Sequence, residues 1–277
     1  MYEAFYNLRE KPFSLLPDAN LIYWATAHRL AYAMLEFGLL NAAGFTVITG
    51  EIGSGKTTLV RYLLRRLPPD VTVGLLTHSK PGGENLLRWI LMALGLPFED
   101  ASYVSLYKRF TDFIQEQHAL GRRTLLIVDE AQNLGAETLE DLRMLSNVNA
   151  DKDQLLQLIL VGQPQLRDEL RKPELAQFAQ RVSSDFHLVA LSVAEVRDYI
   201  SYRLKAVGGD PALFSADACD MVARASRGLP RSINVICDTA LVYGFAASLP
   251  RISSDMVQTV LANKRKFGVF HFGDVSS

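Results

Sequence analysis

One short stretch limits what this chain can fold into more than any other. Residues 50–57 read GEIGSGKT and match the pattern G-x-x-x-x-G-K-[S/T] at every defined position. The preceding residues, 44–49, are apolar and β-branched, as in a buried strand, and residues 57–67 place leucines at helical spacing. The stretch therefore reads as a loop between a strand and a helix, which is the setting that a phosphate-binding loop requires.

The residue types of this loop suit a phosphate chain. Glycine has no Cβ, so backbone N–H groups can approach phosphates closely, and the helix that starts near Gly55 adds the positive end of its dipole. We expect Lys56 to contact the β- and γ-phosphates and Thr57 to bind Mg²⁺. The predicted nucleotide-binding residues are Gly50, Glu51, Ile52, Gly53, Ser54, Gly55, Lys56, Thr57 and Thr58.

Length and composition place the chain among ordinary globular proteins. It has 277 residues, 49% of them hydrophobic and 21% charged, with a net charge of −1 and a pI near 6.5. This balance argues against nucleic-acid binding over the whole surface and leaves a local basic patch open. We see no signal peptide and no apolar run long enough for a transmembrane helix. Cys219 and Cys237 read as buried free thiols, so we expect a cytoplasmic protein.

Apolar runs alternate with helical patterns between residues 44 and 190, which predicts a parallel sheet covered by helices on both faces. The five predicted strands are 44–49, 71–77, 124–128, 155–161 and 185–189. Ligands of such sheets bind beyond the carboxyl ends of the strands. Gly50, Asp129 and Gln163 follow three of the strands and should therefore meet at one edge of the sheet.

The pattern changes after residue 190, where helices follow one another without a strand. The predicted domains are a lead-in segment with a helix (1–43), an α/β core (44–190), a small all-helical lid (191–266) and a tail (267–277). The lead-in segment is rich in aromatic residues. They either hold the segment against the protein or form a wall of an adenine pocket, and the aromatic residues concerned are Tyr2, Phe5, Tyr6 and Phe13.

Five residues outside the loop are candidates for catalysis or metal binding. Asp129 and Glu130 follow an apolar strand, where Asp129 would hold Mg²⁺ and Glu130 would activate the attacking water. Gln163 could bond the γ-phosphate or that water. Arg181 could reach the γ-phosphate of an adjacent subunit as an arginine finger, and Arg231 could swing from a lid helix toward the nucleotide. With Lys56, we predict Glu130, Gln163, Arg181 and Arg231 as the catalytic set. An ordinary surface role remains the alternative for the last three.

These residues carry a family resemblance. The stretches GEIGSGKTT, LLIVDEAQNL, LILVGQPQL and GLPRSINVICDTAL, together with Arg181, resemble the AAA+ ATPases of the general secretion pathway protein A type over nearly the whole chain. The resemblance implies a P-loop core with strand order 5-1-4-3-2, a helical lid, ATP and Mg²⁺ as ligands, and homo-oligomers with sites between subunits. It also implies that Gln163 is sensor 1, Arg181 the finger and Arg231 sensor 2.

The resemblance leaves two functions open. One is an ATP-hydrolysing motor or switch that assembles a secretion, pilus or polysaccharide-export machine, bound to a protein partner at the inner membrane. The other is an ATP-dependent DNA-binding regulator similar to the TnsC/MuB transposition proteins, for which the local basic residues are Lys80, Arg61, Arg65–Arg66, Arg122–Arg123 and Lys264–Lys266. A nucleotide-binding scaffold without turnover ranks third. Membrane-bound family members continue into a transmembrane helix near where this sequence stops, so it is either a naturally soluble member or part of a longer protein. The absence of an Asn-Lys-x-Asp motif favours ATP over GTP.

Overall fold

The computed structural model describes residues 1–16, 18–41, 43–77, 85–99, 101–150 and 153–268. Two features predicted from the sequence lie outside these residues. They are the loop predicted at 78–83, which includes Lys80, and the tail beyond residue 268. All of the predicted site residues lie within the described part of the chain.

A parallel sheet forms the centre of the α/β part. Within the described residues it has five strands in the order β2-β3-β6-β1-β7, and every neighbouring pair is parallel. Its strands are β1 (Phe45–Gly50), β2 (Val71–Leu76), β3 (Arg123–Val128), β6 (Leu156–Gly162) and β7 (Val182–Leu188). Numbered by sheet strand alone, this is the order 5-1-4-3-2 that the family resemblance implied. The predicted α/β P-loop fold is thereby confirmed.

Helices follow the strands much as the sequence predicted. Those of the α/β part are α1 (Thr26–Leu40), α2 (Lys56–Leu64), α3 (Asn85–Ala93), α4 (Tyr103–Ala119), α5 (Ala136–Leu145), α6 (Pro164–Leu170) and α7 (Ala176–Ala179). A hairpin of two strands with two residues each, β4 (Asn149–Ala150) and β5 (Asp153–Gln154), was not predicted. Residues 164–179 read as a helical stretch with a break near Pro173, and a 3-10 turn, Pro173–Leu175, divides it there, because proline restricts the residue before it and lacks the N–H of a helix interior.

Four further helices follow the sheet, and each has either a polar N-cap residue or a proline in its first turn. They are α8 (Val193–Ala206), α9 (Ala216–Ser226), α10 (Pro230–Ala246) and α11 (Ser254–Phe267). Ser192 and Glu195 form a capping box at the start of α8. None of the described helices is both long and apolar enough to cross a membrane. Cys219 and Cys237 are buried and not bridged, as expected.

The chain divides into two compact units that are interleaved along the sequence. One comprises residues 1–28, 51–61 and 189–277, and the other comprises 29–50 and 62–188. The predicted domains, in contrast, are consecutive segments, and their boundaries stay a prediction. The unit that contains the sheet has its own core, in which the rings of Phe45 and Phe178 lie 4.4 Å apart.

The N-terminal segment is part of the core of the helical unit. Tyr2, Tyr6 and Phe13 are buried there. The ring of Phe13 meets that of Phe214 edge-on at 5.9 Å, and the Tyr6 hydroxyl donates to the Leu249 carbonyl at 3.1 Å. The interpretation that these aromatic residues hold the lead-in segment in place is therefore confirmed for all three.

Candidate active site

Glycine sets the backbone path of the phosphate loop. Gly53 and Gly55 have φ angles of +79° and +105°, which side-chain-bearing residues rarely adopt. A Cβ on Gly53 would lie 2.5 Å from the Cβ of Arg231, and one on Gly55 would lie 2.9 Å from the Nε2 atom of His28. Both the conformation and the space around these positions therefore require glycine.

The loop ends in the first turn of α2. Lys56 is the first residue of this helix and is 8% exposed, and its ammonium group donates to the Glu51 carbonyl at 3.0 Å. The N–H groups of the first helical turn, at Lys56, Thr57 and Thr58, have no intrahelical acceptor. Together with the lysine charge, they provide what binding to an anion at a helix N-terminus needs.

Two residues that lie far apart in the sequence hold the carbonyls of the loop. The Arg231 backbone N–H donates to the Gly53 carbonyl at 3.1 Å, while the residue itself is exposed. The His28 Nε2 atom lies 3.0 Å from the Ser54 carbonyl, and because a carbonyl can only accept, Nε2 carries the proton. His28 is buried, and this burial lowers its pKa, so the neutral ring is favoured.

Polar residues meet at the carboxyl edge of the sheet. Strands β3, β6 and β1 are neighbours, with Val128 opposite Leu160 and Thr49 opposite Gly162. Consequently Gly50, Asp129 and Gln163 lie at the same edge, as the strand order predicted. Asp129 is 8% exposed, and its backbone N–H donates to the Leu76 carbonyl at 2.8 Å.

Glu130 occupies a left-handed turn directly after β3. Its φ and ψ angles are 56° and 36°, an uncommon conformation for a residue with a side chain. The Asp129 Oδ1 atom accepts from the Glu130 backbone N–H at 2.9 Å, and a 3-10 helix, Ala131–Asn133, follows. The buried Ala131 anchors this turn.

Two carboxamide groups contact the Glu130 carboxylate. Gln132 donates from Nε2 to Glu130 Oε2 at 2.7 Å, and Gln163 donates from Nε2 to the same oxygen at 3.3 Å. The Gln163 backbone N–H in turn donates to Gln132 Oε1 at 2.9 Å. The structure therefore brings together Glu130, Gln163 and a third residue, Gln132, that the sequence did not single out.

Arg181 lies at the opposite edge of the sheet from Gly50, where the amino ends of the strands meet. It immediately precedes β7, which pairs with β1 so that Val182 is opposite Phe45 and Leu188 is opposite Gly50. The two edges are roughly 20 Å apart at about 3.3 Å per strand residue. The Arg181 guanidinium donates to the Ser146 hydroxyl at 3.1 Å and borders a cavity of about 300 Å³ that also includes Gly44 and Gln154. Arg181 is therefore too far from Gly50 of its own sheet to act there.

The residues present fit a nucleoside triphosphate with Mg²⁺. The glycine positions leave a cradle that a Cβ would fill, and the N-terminus of α2 presents amide donors to an anion. A hydroxyl at Thr57 and a carboxylate at Asp129 are oxygen ligands of the kind that Mg²⁺ prefers. The sheet edge adds a second carboxylate, at Glu130, which is suited to orienting water.

Comparisons with known proteins agree with this geometry. Residues 40–170 match a family described as AAA domain. The chain is 39% identical over 253 residues to the general secretion pathway protein A of Aeromonas hydrophila. An AAA domain therefore spans residues 40–170 of this chain. The match to the Aeromonas protein covers 91% of the chain and 46% of that protein, so the chain spans less than half the length of this relative. The predicted resemblance is confirmed.

Solved structures show the same fold at low sequence identity. The Cdc6p protein of Pyrobaculum aerophilum is 16% identical with a TM-score of 0.70, and the match covers 91% of this chain and 70% of that one. The Aeropyrum pernix ORC1 protein, solved in complex with DNA, is 19% identical with a TM-score of 0.66 over 92% and 69% of the two chains. The RuvB Holliday junction branch migration motor of Thermotoga maritima is 17% identical with a TM-score of 0.57 over 90% and 73%.

Two residues of the site could not be found by the sequence reasoning. Gln132 lies two residues after Glu130, and the two side chains meet only because a 3-10 turn follows Glu130. The spacing alone was therefore a weak signal. His28 offered only a lone histidine at the start of a helical pattern. Its contact with the loop depends on tertiary structure, and no local motif marks it.

Proposed function

We propose that this protein is a Mg²⁺-dependent ATPase that oligomerises through sites shared between subunits. The observation that carries this proposal is the arrangement of the sheet edge. The strand that leads into the phosphate loop and the strands that lead into Asp129 and Gln163 end side by side. Phosphoryl transfer needs mainly positioning and charge stabilisation, and this edge offers both.

Each residue has a role that its chemistry supports. Lys56 and the N–H groups of the first turn of α2 would bind the β- and γ-phosphates. Thr57 and Asp129 would hold Mg²⁺, which neutralises phosphate charge when bound. Glu130 would orient the attacking water and accept its proton, and Gln163 would hold either that water or the γ-phosphate.

The positions of the two arginines support different roles. Arg231 is the second residue of α10, the helix that contacts the phosphate loop, so its side chain would respond to the nucleotide of its own subunit. Arg181 is at the opposite edge of the sheet from Gly50 and would reach the γ-phosphate bound by a neighbouring subunit. This second role requires an oligomer, because Arg181 lies roughly 20 Å from Gly50 of its own sheet.

The cellular role that we propose follows the similarity to general secretion pathway protein A. In this role, ATP binding and hydrolysis drive assembly of a secretion, pilus or polysaccharide-export machine. A protein partner would bring the ATPase to the inner membrane from the cytoplasmic side. An ATP-dependent transposition regulator on DNA is the second candidate, supported by similar folds whose solved forms include ORC1 in complex with DNA.

The test of the enzymatic proposal is the ATPase rate of a Glu130→Gln variant. This change keeps the size of the side chain and removes its basicity, so ATP binding should persist while turnover falls about 100-fold or more. Steady-state phosphate release and equilibrium ATP binding measure the two effects separately. Repeating the assay with duplex DNA separates the candidates, because only a DNA-dependent regulator should assemble and turn over faster on DNA.

Glu116→Gln is the matched control. Glu116 is an exposed residue of α4, so the same chemical change there should leave the rate unaltered. Turnover by the Glu130→Gln variant at the wild-type rate would refute the role of Glu130. DNA binding that weakens steeply with salt would favour the second candidate, because phosphate contacts release counterions.

A further inference from the structure

We propose that Gln132 is the residue that positions Glu130, and that it ties the orientation of this carboxylate to the backbone of Gln163. The inference rests on the proposed ATPase function and concerns the same site. Gln132 belongs to the 3-10 turn after β3 and is half-buried. Its side chain bridges the ends of β3 and β6, so it connects two of the strands that carry the catalytic groups.

The hydrogen bonds define the orientation of the Gln132 carboxamide. A backbone N–H can only donate, so the atom that receives the Gln163 N–H at 2.9 Å must be Oε1. An ionised carboxylate can only accept, so the atom 2.7 Å from Glu130 Oε2 must be Nε2. A flipped amide would lose both bonds, and this side chain therefore has a single satisfied orientation.

The backbone around Gln132 restricts where its side chain can lie. Glycine at position 162 allows the close approach, because a Cβ there would lie 3.1 Å from Gln132 Oε1 and 2.7 Å from the Leu166 side chain. Gln163 is the N-cap residue of α6, so its N–H belongs to a helix end whose donors need acceptors outside the helix. Gln132 supplies this acceptor.

The bridge makes Glu130 sensitive to Gln163 in two ways. The Gln163 side chain donates directly to Glu130 Oε2 at 3.3 Å, while its backbone acts through Gln132 at shorter distances. A shift of the Gln163 backbone, for instance toward a γ-phosphate, would pull on the Gln132 amide and turn the carboxylate. Gln132 thus links the group that senses phosphate to the group that activates water.

Gln132→Met tests this role, because methionine is unbranched, of similar length and adaptable in packing, but has no amide. We expect kcat to fall about 10- to 100-fold, the effect of misplacing a reacting group by about 1 Å. ATP affinity, KM and the melting temperature should remain close to wild type. Gln115→Met, at an exposed position of α4, is the matched control and should leave kcat unchanged.

Gln132→Glu gives a readout that a packing role would not move. The new carboxylate can still accept from the Gln163 N–H, but when ionised it faces the Glu130 carboxylate without a proton to donate. Protonation restores the donor, so the ratio of variant to wild-type kcat should rise as the pH falls from 8 to 5.5. This variant also keeps the test decisive if Gln132→Met does not fold.

The outcomes separate this inference from the function on which it rests. If Glu130→Gln abolishes turnover while Gln132→Met keeps the wild-type kcat, the positioning role is wrong and the ATPase assignment stands. A kcat ratio for Gln132→Glu that does not change with pH also overturns it. If Glu130→Gln itself turns over ATP normally, the proposed function fails and the inference with it.

Discussion

The phosphate loop after β1 and the turn after β3 are built in opposite ways. The loop owes its shape to the backbone, with glycine at the positive φ angles and carbonyls held by His28 and by the Arg231 N–H. The turn owes its arrangement to side chains, since Glu130, Gln132 and Gln163 hold one another. One region presents amides to an anion, and the other orients a carboxylate.

A positive φ angle has different consequences in the two regions. Gly55 adopts positive φ without a steric cost, whereas Glu130 adopts it with a side chain, at an expected cost of order 1–3 kcal/mol. Such strain persists only where the surroundings over-determine it. The loop should therefore be sensitive to an added atom, and the turn should be sensitive to a removed hydrogen-bond donor or acceptor.

The largest effect that we expect concerns a side chain outside both regions. Arg181→Ala should reduce kcat by about 10³-fold or more, because an arginine finger stabilises the charge of the transition state. Binding of ATP should change little. Steady-state ATPase assays on the variant, with an exposed arginine such as Arg227 changed to Ala as the control, measure this effect.

The opposite-edge position of Arg181 makes a second, sharper test possible. Mixing inactive Arg181→Ala subunits with inactive Glu130→Gln subunits should restore part of the activity. A mixed interface can combine the intact Arg181 of one variant with the intact Glu130 of the other. Mixed oligomers that stay inactive would argue against action between subunits, as would full activity of Arg181→Ala alone.

The next effect concerns the backbone of the loop. Gly55→Ala should weaken ATP binding about 10- to 100-fold, since strain of this kind costs about 1–3 kcal/mol and every 1.4 kcal/mol is tenfold. The φ angle of +105° and the His28 ring 2.9 Å from the new Cβ both oppose the change. Titration with a fluorescent ATP analogue measures the affinity.

Gly95→Ala is the control that isolates the loop. Gly95 has a φ angle of +73°, and a Cβ there would meet no atom of the described chain within 4 Å. This variant should lose some thermal stability and keep its ATP affinity. Equal weakening of ATP binding by both variants would mean that general strain, rather than the shape of the loop, determines affinity.

The contrast also explains what the sequence could predict. Glycine spacing reports backbone conformation directly, so GEIGSGKT located the loop, and the apolar strands located the edge that carries Gly50, Asp129 and Gln163. Gln132 depends on a partner from another strand, which no local pattern shows. The same holds for His28, whose partner Ser54 is 26 residues away.

Strand β7 shows a second limit of sequence reading. It begins at Val182, whereas the sequence predicted a start at Asp185. The residues Ser183 and Ser184 hid its first part, because a strand is usually recognised by apolar residues. Strand β7 is the outermost strand of the sheet, so only one of its two sides is paired with another strand, and it has exposed as well as buried positions. Polar residues are tolerated there, and the prediction was wrong by three residues.

The smallest effect that we expect concerns His28, a side chain that contacts a carbonyl of the backbone-built loop. Burial lowers the pKa of His28, so the neutral ring stabilises the fold. The contribution is fully present above the ordinary histidine pKa of about 6.5 and is lost as the pH falls through the lower pKa of the folded state. His28→Gln cannot titrate, yet its amide can still donate to a carbonyl, so the melting temperature of wild type should fall more between pH 8 and pH 5 than that of the variant.

At pH 8 the variant should melt only a few degrees below wild type, because an imperfect hydrogen bond to Ser54 costs about 1 kcal/mol. His118→Gln, at an exposed position near the end of α4, is the control and should melt in parallel with wild type at each pH. Parallel melting curves for His28→Gln would mean that the neutral ring does not support the loop. The Glu195 carboxylate acts electrostatically on the His28 ring. A steeper loss of melting temperature in wild type would show that the loop, although built from glycine and amides, depends on the ionisation of this buried side chain.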